Sequence, residues 1–146
     1  MPSILIVEDH KLLAEVLATT LKRKGKFNVV KVVHTAMDAI EELPSLNVDI
    51  VLVDLSLPQM NGIDLVAFIH ENYQGLPCLV MSAHTAHHGV RRALVAGARG
   101  YIVKDDINEL IDGVNHVLRG GIYMSKMLRE EGLLNSSSGS DEFQAP

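Results

Sequence analysis

The fold is decided by the stretch DIVLVD at residues 49–54. Its four central residues are all apolar, without the polar alternation of a strand that has one face in water, and a carboxylate follows them at once. Consecutive apolar positions suit a strand that is covered on both faces, as in the parallel sheet of an α/β protein. The stretch therefore predicts a central strand over residues 49–53 that ends at Asp54.

The same pattern recurs on both sides of this stretch. The runs at residues 4–7 and 78–81 are also apolar throughout, and further predicted strands occupy residues 29–33, which include Lys31, and 100–103. Helical spacing of apolar residues fills the intervals, at residues 12–21, 35–43, 63–72, 86–96 and 107–118. Strict alternation of strand and helix implies right-handed crossovers between parallel strands. The predicted fold class is α/β, a doubly wound five-stranded parallel sheet with five helices.

Polar residues stand directly after four of the five strands. They are Glu8 and Asp9, Asp54, Ser82 and Lys104. Ligands of open parallel sheets bind beyond the carboxyl ends of the strands. Each residue alone has an ordinary interpretation, as a solvated acidic turn, a helix or turn cap, or a surface lysine. Their joint placement predicts one site at this edge of the sheet.

Three carboxylates at close quarters repel one another unless a cation neutralises them. An all-oxygen cluster of this kind suits Mg²⁺, which keeps waters and often binds a phosphate oxygen. Lys104 and Ser82 supply a charge and a hydroxyl for the outer oxygens of a phosphoryl group. In this interpretation Asp54 is the nucleophile that forms an acyl phosphate.

The chain resembles the CheY-like receiver domains of two-component response regulators, from about residue 3 to residue 121. The stretches that carry the resemblance are IVEDH at residues 6–10, VDLSLPQMNG at 53–62, VMSA at 80–83 and GARGYIVK at 97–104. The resemblance implies the flavodoxin-like strand order 2-1-3-4-5. It also implies a signalling switch that is phosphorylated and dephosphorylated within its own site, and so is not a classical enzyme.

The resemblance assigns a role to each site residue. Asp54 would be the phosphoacceptor, Asp9 a direct Mg²⁺ ligand and Glu8 a ligand through water. The backbone carbonyl of Ser56 would complete the protein ligands. Lys104 would bridge to the phosphate.

Two residues would form the switch in this resemblance. Ser82 would be the switch hydroxyl, and Tyr101 the coupled aromatic side chain on the fifth strand. The α4-β5-α5 surface would change with them. Plain core packing of Tyr101 is the alternative.

Asp105 after Lys104, with GGIYMS at residues 120–125, resembles the NarL/FixJ (LuxR-type) subgroup. Its members usually continue into a helix-turn-helix DNA-binding domain, which these 146 residues lack. The predicted division is a receiver domain at residues 1–125 and a flexible linker or tail at 126–146. The Ser- and Gly-rich composition after residue 135 is typical of such a flexible segment.

The resemblance implies partners and an output for the chain. The phosphoryl donor would be a sensor histidine kinase or a histidine phosphotransfer protein in a phosphorelay, and the output transcription regulation. A homodimer on phosphorylation is compatible with it. A net charge of −5 disfavours direct nucleic-acid binding by this chain. No signal peptide or membrane span is visible in the sequence, which predicts a cytoplasmic protein without membrane contact.

Three other functions compete with the switch. A hydrolase or phosphotransferase with a nucleophilic Asp commonly carries a second carboxylate two positions on, where Ser56 stands. A flavodoxin would have a loop rich in Ser, Thr and Gly after its first strand, where residues 8–10 read EDH. A degenerate receiver that acts by docking alone is disfavoured by the acidic and basic set. The histidines His84, His87 and His88 are interpreted as a solvated loop rather than a metal site.

Overall fold

A computed structural model describes residues 1–83, 87–104 and 107–129. The strands are β1 (Ser3–Val7), β2 (Asn28–Val33), β3 (Ile50–Asp54), β4 (Cys78–Ser82), β5 (Gly100–Val103) and β6 (Tyr123–Met124). The helices are α1 (Lys11–Arg23), α2 (Ala36–Glu42), α3 (Gly62–Asn72), α4 (His87–Ala96), α5 (Ile107–Leu118) and α6 (Lys126–Leu128). A 3₁₀ turn at Leu43–Ser45 follows α2.

The sheet is parallel throughout, in the order β2-β1-β3-β4-β5-β6. The predicted order 2-1-3-4-5 is confirmed, with β6 added at the outer edge of β5. Two residues are too few to carry a strand pattern, so nothing in the sequence separated β6 from a loop.

Successive residues of the central strands point alternately into two cores, one on each face of the sheet. Leu52 of β3 faces α1 and α5, and packs with Leu21 and Val114. Its neighbour Val53 faces the other way, into the core that includes Leu65 of α3. Burial of both faces explains why these strands contain consecutive apolar residues.

Side-chain caps fix where three helices begin. The Nδ1 atom of His10 accepts from the backbone N–H of Leu13 at the start of α1. Thr35 and Asn61 cap α2 and α3 in the same way. Each cap satisfies a backbone donor that the helix itself leaves unpaired. Two of these caps, His10 and Asn61, lie on the loops that follow β1 and β3.

The packed body extends past the predicted boundary at residue 125. Leu128 of α6 is fully buried and belongs to the core on the α3 side of the sheet. The first residues of the predicted tail therefore pack against the domain. The remainder of that tail, residues 130–146, lies outside the described residues. Among the described residues, no helix is both long enough and apolar enough to cross a membrane.

Candidate functional site

The carboxyl ends of β1, β3, β4 and β5 meet at one edge of the sheet. Val7 of β1 pairs with Val53 of β3. Glu8, directly after β1, is therefore in register with Asp54, the last residue of β3. Asp54 in turn pairs with Met81 of β4. Parallel register therefore brings the acidic residues after β1 and the acidic residue that ends β3 into one crevice.

Asp54 is the centre of this crevice. Its side chain is almost fully buried. One oxygen, Oδ1, accepts from the backbone N–H of Ser56 at 3.2 Å and from the Ser56 hydroxyl at 3.3 Å. The same oxygen lies 3.1 Å from Nζ of Lys104. The other oxygen, Oδ2, is buried and accepts no hydrogen bond from the described residues, so its lone pairs are open to a ligand.

Glu8 is held as firmly as Asp54. Its side chain is buried, with Oε1 lying 2.7 Å from Nζ of Lys104. Its Oε2 accepts from the backbone N–H of His10 at 3.1 Å. The Glu8 backbone is also fixed, because its N–H donates to the Val33 carbonyl and its carbonyl contacts Nδ1 of His34 at 2.9 Å. Lys104 is thus shared between two buried carboxylates.

Asp9 completes the acidic group from an exposed position. One carboxylate oxygen from each of Glu8, Asp9 and Asp54 lies within 4.8 Å of the other two. Three hard oxygen ligands with open positions fit Mg²⁺, which binds a few carboxylates and keeps several waters. The Oδ2 atom of Asp54, which accepts nothing from the described part of the chain, leaves a buried acceptor open to such a cation.

The electrostatics distinguish the two buried acids. Burial raises the pKa of Glu8, and its contacts with Lys104 and the His10 N–H offset only part of that rise. Burial also opposes ionisation of Asp54, but the Lys104 charge and the Ser56 N–H together hold its pKa below the ordinary value. Burial works against the Lys104 charge too, yet Glu8 and Asp54 raise the pKa of Lys104 overall. The site therefore favours an ionised Asp54 beside a cationic Lys104.

Ser82 is the last residue of β4, and Tyr101 lies within the neighbouring strand β5. The backbone N–H of Lys104 donates to the Ser82 carbonyl at 2.7 Å. Tyr101 is fully buried, and burial raises the pKa of its phenol while the nearby Ser82 side chain opposes the rise. The structure brings these two predicted residues together between β4 and β5.

Gly62 allows α3 to start against the backbone of Asp54. A Cβ atom at this position would lie 2.3 Å from the Asp54 carbonyl oxygen, which is closer than any side chain tolerates. The Gly62 N–H donates to the Leu55 carbonyl at 3.1 Å. The Asn-Gly pair in the sequence therefore fixes the loop that carries Ser56.

The predicted site residues in the described part of the chain lie at the carboxyl ends of these strands, except Tyr101, which lies within β5 beside Ser82. Two contacts were not predicted: the Glu8–Lys104 ion pair and the contact of His34 with the Glu8 carbonyl. His84 and the side chains of His87 and His88 lie outside the described residues.

Comparisons with known proteins point to response regulators. The model of the response regulator receiver domain matches residues 4–115. The transcriptional regulatory protein DegU of Brevibacillus brevis is 32% identical over 122 residues, which cover 83% of this chain and 52% of that protein. The DNA-binding transcriptional activator DevR/DosR of Mycobacterium tuberculosis is 30% identical over 105 residues, 72% of this chain and 48% of that protein.

Solved structures show the same similarity. A LuxR-family two-component response regulator from Aurantimonas has a TM-score of 0.85 at 28% identity, covering 90% of this chain and 94% of that one. The receiver domain of the response regulator NarL from Mycobacterium tuberculosis has a TM-score of 0.76 at 28% identity, covering 82% of this chain and 97% of that one. The predicted NarL/FixJ resemblance is confirmed. The chain spans about half the length of the first curated relatives, which are transcriptional regulators rather than classical enzymes.

Proposed function

This chain belongs to the response regulator receiver domain family, and from that premise we propose that it is a Mg²⁺-dependent switch that accepts a phosphoryl group on Asp54. The observation that carries the proposal is the state of the Asp54 carboxylate. Oδ1 is fixed by Ser56 and Lys104, whereas Oδ2 is buried and has no hydrogen-bond partner among the residues that the structure describes. A carboxylate held in this way is oriented for attack, since one oxygen is anchored and the other keeps its lone pairs.

The reaction is a transfer between nitrogen and oxygen. A carboxylate oxygen of Asp54 forms a bond to phosphorus as the P–N bond of a phosphohistidine donor breaks, and the imidazole takes the electron pair. Lys104 and the Ser82 hydroxyl hold the outer phosphoryl oxygens, where negative charge accumulates. Hydrolysis of the acyl phosphate later returns Asp54 to its starting state.

The divalent cation would be held by the carboxylates of Asp9 and Asp54 and by the Ser56 carbonyl, with Glu8 acting through water. When bound, Mg²⁺ supplies positive charge that screens the carboxylates from the incoming phosphoryl group. Glu8 is paired with Lys104 in the structure. Glu8 therefore positions Lys104 and also attracts the cation through its negative charge.

The physiological donor is a sensor histidine kinase or a histidine phosphotransfer protein. Phosphorylation changes the α4-β5-α5 surface through Ser82 and Tyr101, which shifts a pre-existing equilibrium. The output is transcription through a DNA-binding domain that lies outside these 146 residues, with homodimerisation as one route to it. This chain does not itself bind nucleic acid. A docking module without phosphorylation is not favoured, because the acids and Lys104 lie together in the crevice.

Intact-protein mass spectrometry tests the proposal. The chain is incubated with Mg²⁺ and a small phosphodonor such as acetyl phosphate. We expect one added phosphoryl group, absent in Asp54→Asn and in EDTA, and retained in Asp64→Asn, which alters an exposed acid at the start of α3. No adduct with any donor, together with no binding of fluoroberyllate, would contradict the proposal and favour the degenerate receiver.

A further inference from the structure

A third buried acid, besides Glu8 and Asp54, lies on α5. Glu109 stands in the first turn of α5 and is only 9% exposed. Its Oε1 accepts from the Ser125 hydroxyl at 2.7 Å, and its Oε2 accepts from the Tyr123 hydroxyl at 2.8 Å. The same Oε2 accepts from the backbone N–H of Lys126. One carboxylate thus gathers three donors from one short segment.

That segment, residues 122–129, is called the C-terminal strap below. It adds to the outer edge of β5: the N–H of Tyr123 donates to the Arg99 carbonyl at 2.9 Å, and the N–H of Ser125 to the Tyr101 carbonyl at 2.8 Å. Leu128 anchors the strap in the core. The strap therefore covers the edge of the sheet that lies beside α5.

Glu109 supplies contacts that the strap does not make for itself. Ser125 is the residue before α6, but its side chain does not cap that helix. The hydroxyl is turned to Glu109, and the Glu109 carboxylate takes the first N–H of α6 instead. Without this carboxylate three donors would lose their acceptor, and the loss is costly at Ser125, which is buried.

The strap is also joined by backbone hydrogen bonds to β5, the strand that leads to Lys104. Its Ser125 N–H is bonded to the carbonyl of Tyr101, whose side chain lies beside Ser82. Ser82 is joined through its carbonyl to the N–H of Lys104. A continuous set of contacts therefore runs from the Lys104 that binds Asp54 to the strap.

We propose that Glu109 is a latch that holds the C-terminal strap on β5, and that docking of the strap is coupled through Tyr101 to the state of Asp54. The coupling rests on the proposed function, whereas the latch does not. The strap is then the element by which a change at Asp54 reaches the chain that follows residue 129. In this proposal the strap exchanges between a docked and a released state, and a ligand at Asp54 changes the ratio of the two.

Hydrogen–deuterium exchange of the whole chain tests the latch. Glu109→Ala should speed exchange of the Tyr123 and Ser125 amides about tenfold, the loss expected for buried hydrogen bonds to a charged acceptor. Glu109→Gln keeps an acceptor for Tyr123 and Lys126, so it should restore most of the protection. Tyr123→Phe, which removes one hydroxyl, should lie between. Glu15→Ala, at an exposed site on α1, is the matched control. Unchanged strap exchange in Glu109→Ala would refute the latch.

The coupling is tested with fluoroberyllate and Mg²⁺ as the probe. Strap exchange should change about threefold or more when the probe binds the native chain, and not at all in Asp54→Asn. By linkage, Glu109→Ala must change the fluoroberyllate dissociation constant through the same coupling. Bound probe with unchanged strap exchange would refute the coupling and leave the proposed function standing. Absence of both probe binding and a phosphoryl adduct would overturn the proposed function, and the coupling with it.

Discussion

The Nζ atom of Lys104 lies 2.7 Å from Oε1 of Glu8 and 3.1 Å from Oδ1 of Asp54. Lys104 is therefore a shared counter-charge for two buried carboxylates and not the partner of Asp54 alone. A phosphoryl group on Asp54 adds negative oxygens beside the same cation. Glu8 and the phosphoryl group then compete for Lys104. The strength of the Glu8–Lys104 pair therefore affects how readily Lys104 binds the phosphoryl group.

Removing the charge of Lys104 should destabilise the fold strongly. Lys104→Met leaves Glu8 and Asp54 buried without their cation, and we expect a loss of about 3–5 kcal/mol in the free energy of unfolding. Lys31→Met is the control, because the Lys31–Glu42 pair is 3.7 Å apart and both side chains are more than a third exposed. The control should lose less than about 1 kcal/mol. Equal losses in urea unfolding would contradict the shared role of Lys104.

Mg²⁺ should stabilise the native chain through Asp9. A ligand that binds only the folded state stabilises it by about 2.7 kcal/mol at a concentration of about 100 times Kd. Asp9 is the one exposed acid of the cluster, so Asp9→Asn should abolish the rise in Tm without greatly changing the Tm in EDTA. Thermal unfolding measures both. A Mg²⁺-dependent rise that survives Asp9→Asn would place the cation elsewhere.

The stability supplied by Asp54 should depend on pH with a definite sign. Its folded pKa lies below the ordinary value of 3.8. The contribution is therefore fully present well above pH 3.8, and it is lost as the pH falls through the folded pKa. The difference in unfolding free energy between the native chain and Asp54→Asn should accordingly shrink in acid. Urea unfolding near neutrality and well below pH 3.8 measures it, and a difference that grows in acid would mean that the pKa is raised.

Cys78 should be unreactive in the native state. Its thiol is 2% exposed within β4, and burial raises its pKa to about 12. Because the thiolate is the reactive form, a disulfide reagent at neutral pH should label the native chain only as fast as the chain opens. In urea the label should appear at once. Rapid stoichiometric labelling of the native chain would show that β4 is more open than described.

The sheet and the site followed from the sequence because the two signals are local. Consecutive apolar residues identify a doubly covered strand, and a parallel sheet brings the residues that follow such strands to one edge. Asp54, Glu8 and Lys104 each stand directly after a strand, so their convergence required no knowledge of packing. The strand order needed the family resemblance.

The contacts of Glu109 and β6 were not predictable in the same way. Glu109 looks like an ordinary acid in the first turn of a helix, where the helix dipole favours it. Only the return of the chain over β5 brings Tyr123 and Ser125 to its carboxylate. The pairing of Glu8 with Lys104 also depends on side-chain reach past the ends of β3 and β4, which spacing along the chain does not encode.

The most direct test of the central claim is to locate the phosphoryl group chemically. Borohydride reduces an aspartyl phosphate to homoserine, which peptide mass spectrometry identifies by position. After incubation with Mg²⁺ and acetyl phosphate, we predict homoserine at residue 54 and at no other acidic residue. Homoserine at Asp9 or elsewhere, or an adduct that survives Asp54→Asn, would contradict the assignment of Asp54 as phosphoacceptor.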